Sequence, residues 1–505
     1  MVDSLQPELP IETVDSRHGL AIPKRSFFHH AVIYWFGRMA TRSLTVLLLP
    51  IFTACLSPAE YGELSILAIV MDTLALVLSF QLPVAVYRFW AREETEADRK
   101  RVLGSAMLLT LVAPTLLLLP VYIWADYFSL LLDLPGHANL LRLVLVEAQL
   151  VIIVTVVMTE MRVQDHSRRF AFWEIAQTLF VGLLSVVLVA RFGLGIWGMF
   201  LAQTVVFAAI AACLIPGFSA RIGLRYDSAI VKSMLSYALP LVPSAVAMAA
   251  LNSADRFFLQ RMVGLEATGL YSIGYKFGML VNILVIGPFV LIWEPRRFTI
   301  ANEPNAAKTY GQVFTYLLVL TSFVALALTG LAKEIVQVLT ARQYWQAYSI
   351  IPLVAWSYVF FGLTSVVSVG LFVHHKTGIF SWLVVIALLA NILGNLLLIP
   401  VYGAHGAAIA TLLAFFLLFV LNLAFACRYT AIAFEWRKLR RLTGLLVIAG
   451  ALMVLAPHTM FFLDVAVKSL VLLSFLVALH LLRFFPHLAL PWRVRALWAS
   501  LKDTA

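Results

Sequence analysis

Residues 377–426 hold two membrane-length apolar runs in succession: TGIFSWLVVIALLANILGNLLLIPVYGAHGAAIATLLAFFLLFVLNLAFA. The stretch contains no Asp, Glu, Lys or Arg, and only the short segment around Gly403 interrupts its hydrophobicity. Because about 20 apolar residues in a helix cross the roughly 30 Å of a bilayer's hydrocarbon core, each run predicts one transmembrane helix. The two runs therefore predict a helical hairpin in a membrane.

The same pattern recurs along nearly the whole chain. Of the 505 residues, 62% are hydrophobic and 12% charged, and the mean hydropathy is +0.94. Soluble domains are about half apolar and a quarter charged. The pattern predicts an all-α integral membrane protein with about 14 transmembrane helices. We place the spans at residues 31–55, 64–90, 102–124, 139–161, 170–191, 193–215, 232–255, 268–293, 311–331, 346–372, 377–399, 403–427, 442–463 and 465–485.

Basic residues mark one side of this membrane protein. The loops after the even-numbered spans carry most of the Lys and Arg residues, with clusters within residues 88–101 and 428–441. The positive-inside rule then predicts that both termini are cytoplasmic. Residues 1–30 are interpreted as a cytoplasmic tail, because they lack the apolar core and cleavage site of a signal peptide. The net charge of +11 belongs to membrane loops, so no nucleic-acid partner is expected.

Two pairs of segments suggest an internal repeat. Ser57–Ile66 (SPAEYGELSI) is similar in outline to Gly264–Ile273 (GLEATGLYSI), and residues 192–195 (FGLG) are similar to residues 402–405 (YGAH). Each pair opens the second and the sixth span of a half, respectively. We therefore predict two six-helix lobes in the same orientation, residues 31–218 and 219–430, followed by two extra helices and a cytoplasmic C-terminus in residues 431–505.

At these residues the chain resembles the polysaccharide transporters of the multidrug/oligosaccharidyl-lipid/polysaccharide exporter superfamily, which include the O-antigen and exopolysaccharide flippases. The resemblance covers residues 30 to about 430. Besides the repeated segments, it rests on the sequences DRFF at 255–258, GLYS at 269–272, and the run from Asn391 through Asn395 to residues 406–408.

This resemblance implies two lobes around a central cavity with alternating access, in the bacterial inner membrane. It implies transport of an oligosaccharide linked to a polyprenyl diphosphate carrier, for surface polysaccharide such as lipopolysaccharide or exopolysaccharide. Membrane lipids, a polysaccharide polymerase and chain-length proteins are the implied partners, and no cofactor is implied.

Charged residues inside the spans are candidates for the transport site, because an unpaired charge at the bilayer centre costs several kcal/mol. Arg38 and Arg42 share one face of the first span, and Asp72 lies at a depth similar to that of Arg42. The two arginines either bind a diphosphate through paired hydrogen bonds, or Arg42 only pairs with Asp72. Lys276 is the matching cation of the second half, with snorkelling or internal pairing as its alternative.

Acidic residues are candidates for ion coupling. Asp255 and Arg256 are predicted as an interfacial pair at the end of the seventh span, and Asp72 and Asp255 could each also couple an ion. Glu147, Glu160 and Glu174 could each carry a coupling proton, and the sequence does not choose among them.

Prolines at positions 83, 240, 243 and 288 predict kinks that act as hinges or as inert packing features.

Three other functions compete with the flippase. An organic-cation or multidrug exporter of the same superfamily should have an acidic cavity, which Arg38, Arg42 and Lys276 oppose and Asp72 favours. A membrane polymerase or ligase should have a sizeable outer loop, and the predicted outer loops are short, so no enzyme is expected. A scaffold has no reason to keep charges inside the membrane.

Cys55, Cys213 and Cys427 stand singly, without the spacing of a metal or redox site.

Overall fold

The computed structural model describes residues 44, 46–455, 461–482 and 484. All regular elements within these residues are helical. The first half contains α1 Leu49–Cys55, α2 Pro58–Leu78, α3 Leu82–Arg92, α4 Glu96–Ile123, α5 Ala125–Leu131, α6 Ala138–Val163, α7 Ser167–Val186 and α8 Gly195–Ile222. The second half and the C-terminal region contain α9 Ser228–Ala238, α10 Val242–Ser253, α11 Asp255–Met262, α12 Leu265–Gly278, α13 Gly287–Ile300, α14 Ala306–Gly330, α15 Ala332–Leu339, α16 Ile351–Val367, α17 Val369–Val373, α18 Thr377–Tyr402, α19 Ala404–Ala426, α20 Trp436–Leu455 and α21 Phe461–Leu481.

Twelve helical segments of the described residues are long and apolar enough to cross a membrane. They coincide with predicted spans two to twelve and with span fourteen, which confirms the all-α membrane fold. Helix α20 covers most of predicted span thirteen, whereas only α1 and the few residues before it represent span one. The total of fourteen spans remains a prediction.

Three spans are interrupted beside prolines, as the sequence predicts. Between α2 and α3, Phe80 and Gln81 adopt left-handed φ values of 50° and 54°, just before Pro83. A 3₁₀ turn at Leu239–Leu241 separates α9 from α10, and a π-helical turn at Asn282–Ile286 separates α12 from α13. Because proline cannot donate a backbone hydrogen bond, these positions tolerate a break in the helix.

The break in the seventh span lets its two parts pack differently. Helix α9 contacts α3 and α4, and its Val231 and Met234 are buried in the same apolar cluster as Leu82 and Val102 of the first half. Helix α10 instead contacts α18 and α2. The seventh span therefore joins the core of one half to helices of the other. The lobe boundary near residue 218 remains a prediction.

The loops that follow odd-numbered spans lie together at one end of the helices, which we call the odd-loop face. It includes the α1–α2 connection, residues 124–137, residues 254–264 and the turn Arg342–Ser349. The positive-inside count predicts that this face is external. Helices α18 and α19 form the hairpin predicted from residues 377–426, joined at Gly403 with φ of +54°.

Candidate functional site

The two repeated segments pack directly against each other, because α2 lies along α12. A Cβ atom at Gly62 would lie 2.1 Å from the carbonyl oxygen of Leu265, and one at Gly269 would lie 1.9 Å from that of Pro58. Real Cβ atoms do not approach backbone oxygens so closely, so both positions require glycine. The internal similarity therefore marks the place where the two halves of the chain meet.

Polar side chains continue this contact along α2 and α12. The Ser272 hydroxyl donates a hydrogen bond of 2.8 Å to Oγ of Ser65. Lys276 lies one turn further along α12, and its side chain extends back to Tyr61 near the start of α2. Its Nζ donates to the Tyr61 hydroxyl over 2.6 Å and lies 5.3 Å from the centre of the Tyr61 ring. Lys276 thus lies at the junction between the halves, where part of its side chain remains accessible.

The turn Arg342–Ser349 seals the odd-loop face against the end of α1. Nε2 of Gln343 donates to the carbonyl oxygens of Thr53 and Leu56 at 3.0 and 2.9 Å, and the Tyr344 hydroxyl donates to Leu56 at 2.9 Å. Burial raises the pKa of the Tyr344 hydroxyl, so it stays protonated and keeps donating this bond.

A second set of contacts at the odd-loop face joins α11 to the loop after α5. Nε of Arg261 contacts Oδ2 of Asp133 at 2.6 Å, and Nε2 of Gln260 donates to the carbonyl oxygen of Leu132 at 2.9 Å. Both bonds connect residues of the first half to residues of the second half. The structure is therefore closed at the odd-loop face.

Asp255 is enclosed in a polar network of the second half. Its side chain is 1% exposed and contacts NH1 of Arg256 at 2.9 Å. The hydroxyls of Tyr271 and Thr411 also donate to it, and the Arg256 guanidinium lies 4.0 Å from the centre of the Tyr275 ring. The predicted Asp255–Arg256 pair is present, and α12, α18 and α19 surround the helix that carries it. Its position at the membrane interface stays a prediction. Ion coupling by Asp255 stays a prediction.

The other predicted site residues are placed only in part. Asp72 lies on α2, fourteen residues after its first residue Pro58, and its side chain is exposed. Arg38 and Arg42 lie outside the described residues. Diphosphate binding by these arginines and an Arg42–Asp72 pair both remain predictions.

One buried ion pair was not predicted from the sequence. Lys468 on α21 donates to Glu334 on α15, and the two residues are 3% and 5% exposed. The pair fixes the C-terminal helix to the end of α14 through α15. The signal available in the sequence is the single lysine inside the apolar run of α21, since a charge there requires a partner.

The sequence matches a known protein family. Residues 29–301, more than half of the chain, match the polysaccharide biosynthesis protein family. The chain belongs to this family. The succinoglycan biosynthesis transport protein ExoT of Rhizobium meliloti (strain 1021) is 25% identical over 328 residues, which make up 64% of each chain. The alignment thus spans less than two thirds of that relative.

Solved transporters share the fold. The lipid II flippase MurJ in an inward closed conformation superimposes with a TM-score of 0.70 at 15% identity, over 89% of this chain and 98% of that chain. An inward-facing multidrug resistance transporter of the MATE family gives 0.64 at 14% identity, over 78% and 97%. These identities establish a common fold. Together with the family match, this common fold agrees with the resemblance found in the sequence: the chain is a multi-pass membrane protein of the polysaccharide biosynthesis protein family, with the fold that these transporters share.

Proposed function

We propose that the protein is an alternating-access flippase that moves a lipid-diphosphate-linked oligosaccharide across the bacterial inner membrane for surface polysaccharide synthesis. The observation that carries this proposal is the contact between the two repeated segments. It consists of close glycine packing, of apolar and aromatic side chains that both helices bury in one cluster, and of hydrogen bonds that each contribute about 0.5–1.5 kcal/mol net. Because this contact joins the first half of the chain to the second, its formation and separation would provide the two conformations that alternating access requires.

The cations of the spans suit an anionic head group. Lys276 lies at the junction of the halves, where its ammonium group donates to the Tyr61 hydroxyl. We infer that Arg38 and Arg42 add guanidinium groups, which bind phosphate oxygens through paired hydrogen bonds. The names of the relatives support this class of substrate, since one is a succinoglycan biosynthesis transport protein and another a lipid II flippase.

The proposal includes an orientation and an assembly. Both termini are placed in the cytoplasm, and the two six-helix lobes, 31–218 and 219–430, enclose a central cavity, with residues 431–505 as an appendix. The structure is then closed towards the outside. A polysaccharide polymerase and chain-length proteins are the expected partners on the outer side.

Reporter fusions in the connections between helices test this orientation. Fusions at Glu94, Asn302 and Trp436 should report a cytoplasmic location, and fusions at Gly136, Glu266 and Gly403 an external one. All six positions lie in loops or at helix ends, where an insertion disturbs little packing. A consistent inversion of the two sets would contradict the orientation.

Deletion of the gene tests the substrate class. We expect surface polysaccharide to stop and lipid-linked repeat units to accumulate on the inner leaflet, with recovery of both when the gene is returned. A second candidate is an organic-cation exporter, which the exposed acid Asp72 favours. Normal polysaccharide combined with increased sensitivity to cationic drugs would support the exporter and reject the flippase.

A further inference from the structure

An apolar groove of about 610 Å³ lies between α7 and α8 in the first half of the chain. Its walls include Phe180 of α7 and Val205 of α8, whose side chains are 57% and 48% exposed. Sites that enclose a small molecule typically have volumes of about 300–1,000 Å³. Because both helices have the length and composition of membrane spans, the groove lies at the depth of the bilayer's hydrocarbon.

The groove follows one face of α7. Trp173, Phe180, Leu184 and Val187 line it at intervals of seven, four and three residues, which is the spacing of side chains on a single helix face. At about 1.5 Å per residue, this stripe is about 21 Å long. The groove is therefore long and narrow, as a site for one extended hydrocarbon chain should be.

Protein covers the opposite face of α7. A Cβ atom at Gly182, on that face, would lie 2.6 Å from Cδ1 of Leu48. Within the described residues, the main neighbours of α7 and α8 besides each other are α2, α4, α6 and the turn Val187–Arg191, all in the first half. The groove thus belongs to one half of the chain, and a ligand in it can stay bound when the halves separate.

An exposed arginine continues the α7 wall beyond its apolar part. Arg169 precedes Trp173 by four residues, so it lies on the groove face of α7. Arg168 is its neighbour in the chain, and both side chains are exposed. The two arginines occupy the first turn of α7, where the helix dipole disfavours a cation and favours an anion. An anion at this end of the groove would compensate both the guanidinium charge and the dipole.

The α8 wall ends at a second guanidinium. Ala209 and Cys213 line the groove four residues apart, and Gly217 follows at the same interval. A Cβ atom at Gly217 would lie 3.1 Å from NH1 of Arg221, whose Nε and NH2 contact Glu160. The lack of a side chain at position 217 leaves room for Arg221 at this end of the wall. Both walls therefore end at a cation.

We propose that this groove binds an anionic phospholipid. One hydrocarbon chain of the lipid fills the apolar part between α7 and α8, and Arg169 and NH1 of Arg221 hold the phosphate. Basic residues between spans on the cytoplasmic side are a recurrent feature of anionic-lipid sites, and the positive-inside count predicts that this end of both spans is cytoplasmic. The lipid is a resident ligand, so the site does not depend on which substrate is transported.

The head group and the chain of the lipid contribute separately to binding. A basic residue near the membrane surface favours an anionic over a neutral lipid by about fivefold. The apolar contacts of the chain are the same for an anionic and a neutral phospholipid, because they depend on buried hydrocarbon area alone. Loss of Arg169 should therefore remove preference, whereas obstruction of the groove should reduce binding of both lipids.

Quenching of Trp173 fluorescence by brominated phospholipids measures occupancy of the groove. The full chain is reconstituted in phosphatidylcholine vesicles that contain a rising fraction of either brominated phosphatidylglycerol or brominated phosphatidylcholine. The chain has 12 tryptophans, so the Trp173 signal is the difference between the parent and Trp173→Phe, which keeps an aromatic ring in the groove. We expect brominated phosphatidylglycerol to quench this signal at about one fifth of the fraction that brominated phosphatidylcholine requires.

Arg169→Gln tests the charge at the end of the groove, with the Trp173 signal again taken as a difference. The two brominated lipids should then quench Trp173 at similar fractions. Arg191→Gln is the matched control, because Arg191 is an exposed arginine at the other end of the same span, and it should keep the preference of the parent. Equal quenching by the two lipids in the parent, or an equal loss of preference in both variants, would overturn the proposal.

Ala209→Phe tests the apolar part of the site, because the added ring occupies the groove. Quenching of Trp173 by both brominated lipids should fall. Ala208→Phe adds the same ring at an exposed position outside the groove lining and should behave like the parent. Undiminished quenching in Ala209→Phe would reject the groove as the place of the chain. Arg169→Gln changes an exposed side chain, so the charge test stands even if Ala209→Phe does not accumulate in the membrane.

A polyprenyl phosphate is the competing occupant. It is added without bromine to vesicles that contain brominated phosphatidylglycerol, and unbrominated phosphatidylglycerol is added to a parallel sample. If the groove holds a phospholipid, phosphatidylglycerol should restore Trp173 fluorescence at least as well as the polyprenyl phosphate at the same fraction. Recovery at a much smaller fraction of polyprenyl phosphate would overturn the proposal and assign the groove to a carrier lipid.

Discussion

Asp255 in the second half and Glu147 in the first half are both acids enclosed by helices, with 1% and 0% of their side chains exposed. Asp255 accepts bonds from Arg256, Tyr271 and Thr411, whereas Glu147 accepts none among the described residues. Burial is therefore the same, and the number of donors differs. An acid surrounded by donors stabilises one arrangement of helices, while an acid without donors changes its charge when its surroundings change.

The largest expected difference between the two acids is the loss of stability when each is replaced by its amide. Asp255→Asn removes the charge that compensates the buried Arg256 guanidinium, and an uncompensated buried charge destabilises by about 3–5 kcal/mol. Glu147→Gln changes a carboxyl group that has no hydrogen-bond donor among the described residues into an amide of similar size, so we expect a smaller change of about 1 kcal/mol. Unfolding of both purified variants in the same detergent, followed by helix signal against temperature, measures this contrast.

A control separates the loss of a charge from the loss of a single neutral hydrogen bond in this experiment. Thr411→Val removes one neutral donor to Asp255, at 3.3 Å, and should destabilise less than Asp255→Asn. The distinction between the two acids fails if Glu147→Gln proves as destabilising as Asp255→Asn.

Much of the fold could be predicted because membrane helices follow from local composition. The twelve candidate spans coincide with predicted ones, and the breaks beside Pro83, Pro240 and Pro288 occur where the sequence expects them. The repeat was also visible in the sequence, and the structure adds that its two segments meet, with Gly62 and Gly269 at equivalent places. These features depend on the sequence pattern within one or two helices.

Partners across distant helices could not be predicted in the same way. The sequence places Asp255 and Arg256 at the end of a span, but it does not indicate that α12, α18 and α19 enclose them. Glu147 and Glu160 are thirteen positions apart on α6, and only the packing of α8 supplies Arg221 to one of them. Hydrogen bonding inside a helical bundle depends on which helices become neighbours, and periodicity does not contain that information.

A second prediction sharpens the comparison at the junction, where both halves contribute the same residue. Gly269→Ala places a Cβ where Pro58 O would lie 1.9 Å away, so α2 and α12 must move apart. Overpacking of this kind costs about 1–3 kcal/mol. It should reduce disulfide crosslinking between cysteines introduced in place of Ser65 and Ser272, whose hydroxyl oxygens are 2.8 Å apart. Gly444→Ala on α20 is the matched control, because a Cβ there meets no atom within 4 Å. Undiminished crosslinking in Gly269→Ala would show that the glycine contact does not set the approach of the halves.

The smallest expected effect on stability concerns Lys276, and it separates a ligand of the substrate from a structural bond. Both Lys276→Ala and Tyr61→Phe remove the hydrogen bond of 2.6 Å between α12 and α2, and each should destabilise by only about 0.5–1.5 kcal/mol. Tyr61→Phe keeps the ammonium charge and the aromatic ring, whereas Lys276→Ala removes the charge. If Lys276 binds the diphosphate, polysaccharide export in a deletion strain, normalised to protein in the membrane, should fall strongly in Lys276→Ala and remain in Tyr61→Phe. Lys276→Arg keeps the charge and should retain part of the export, since a guanidinium also binds phosphate but with a different shape. Equal export by Lys276→Ala and Tyr61→Phe would show instead that Lys276 serves the junction alone, and the anion would then have to be bound by arginines of the first span.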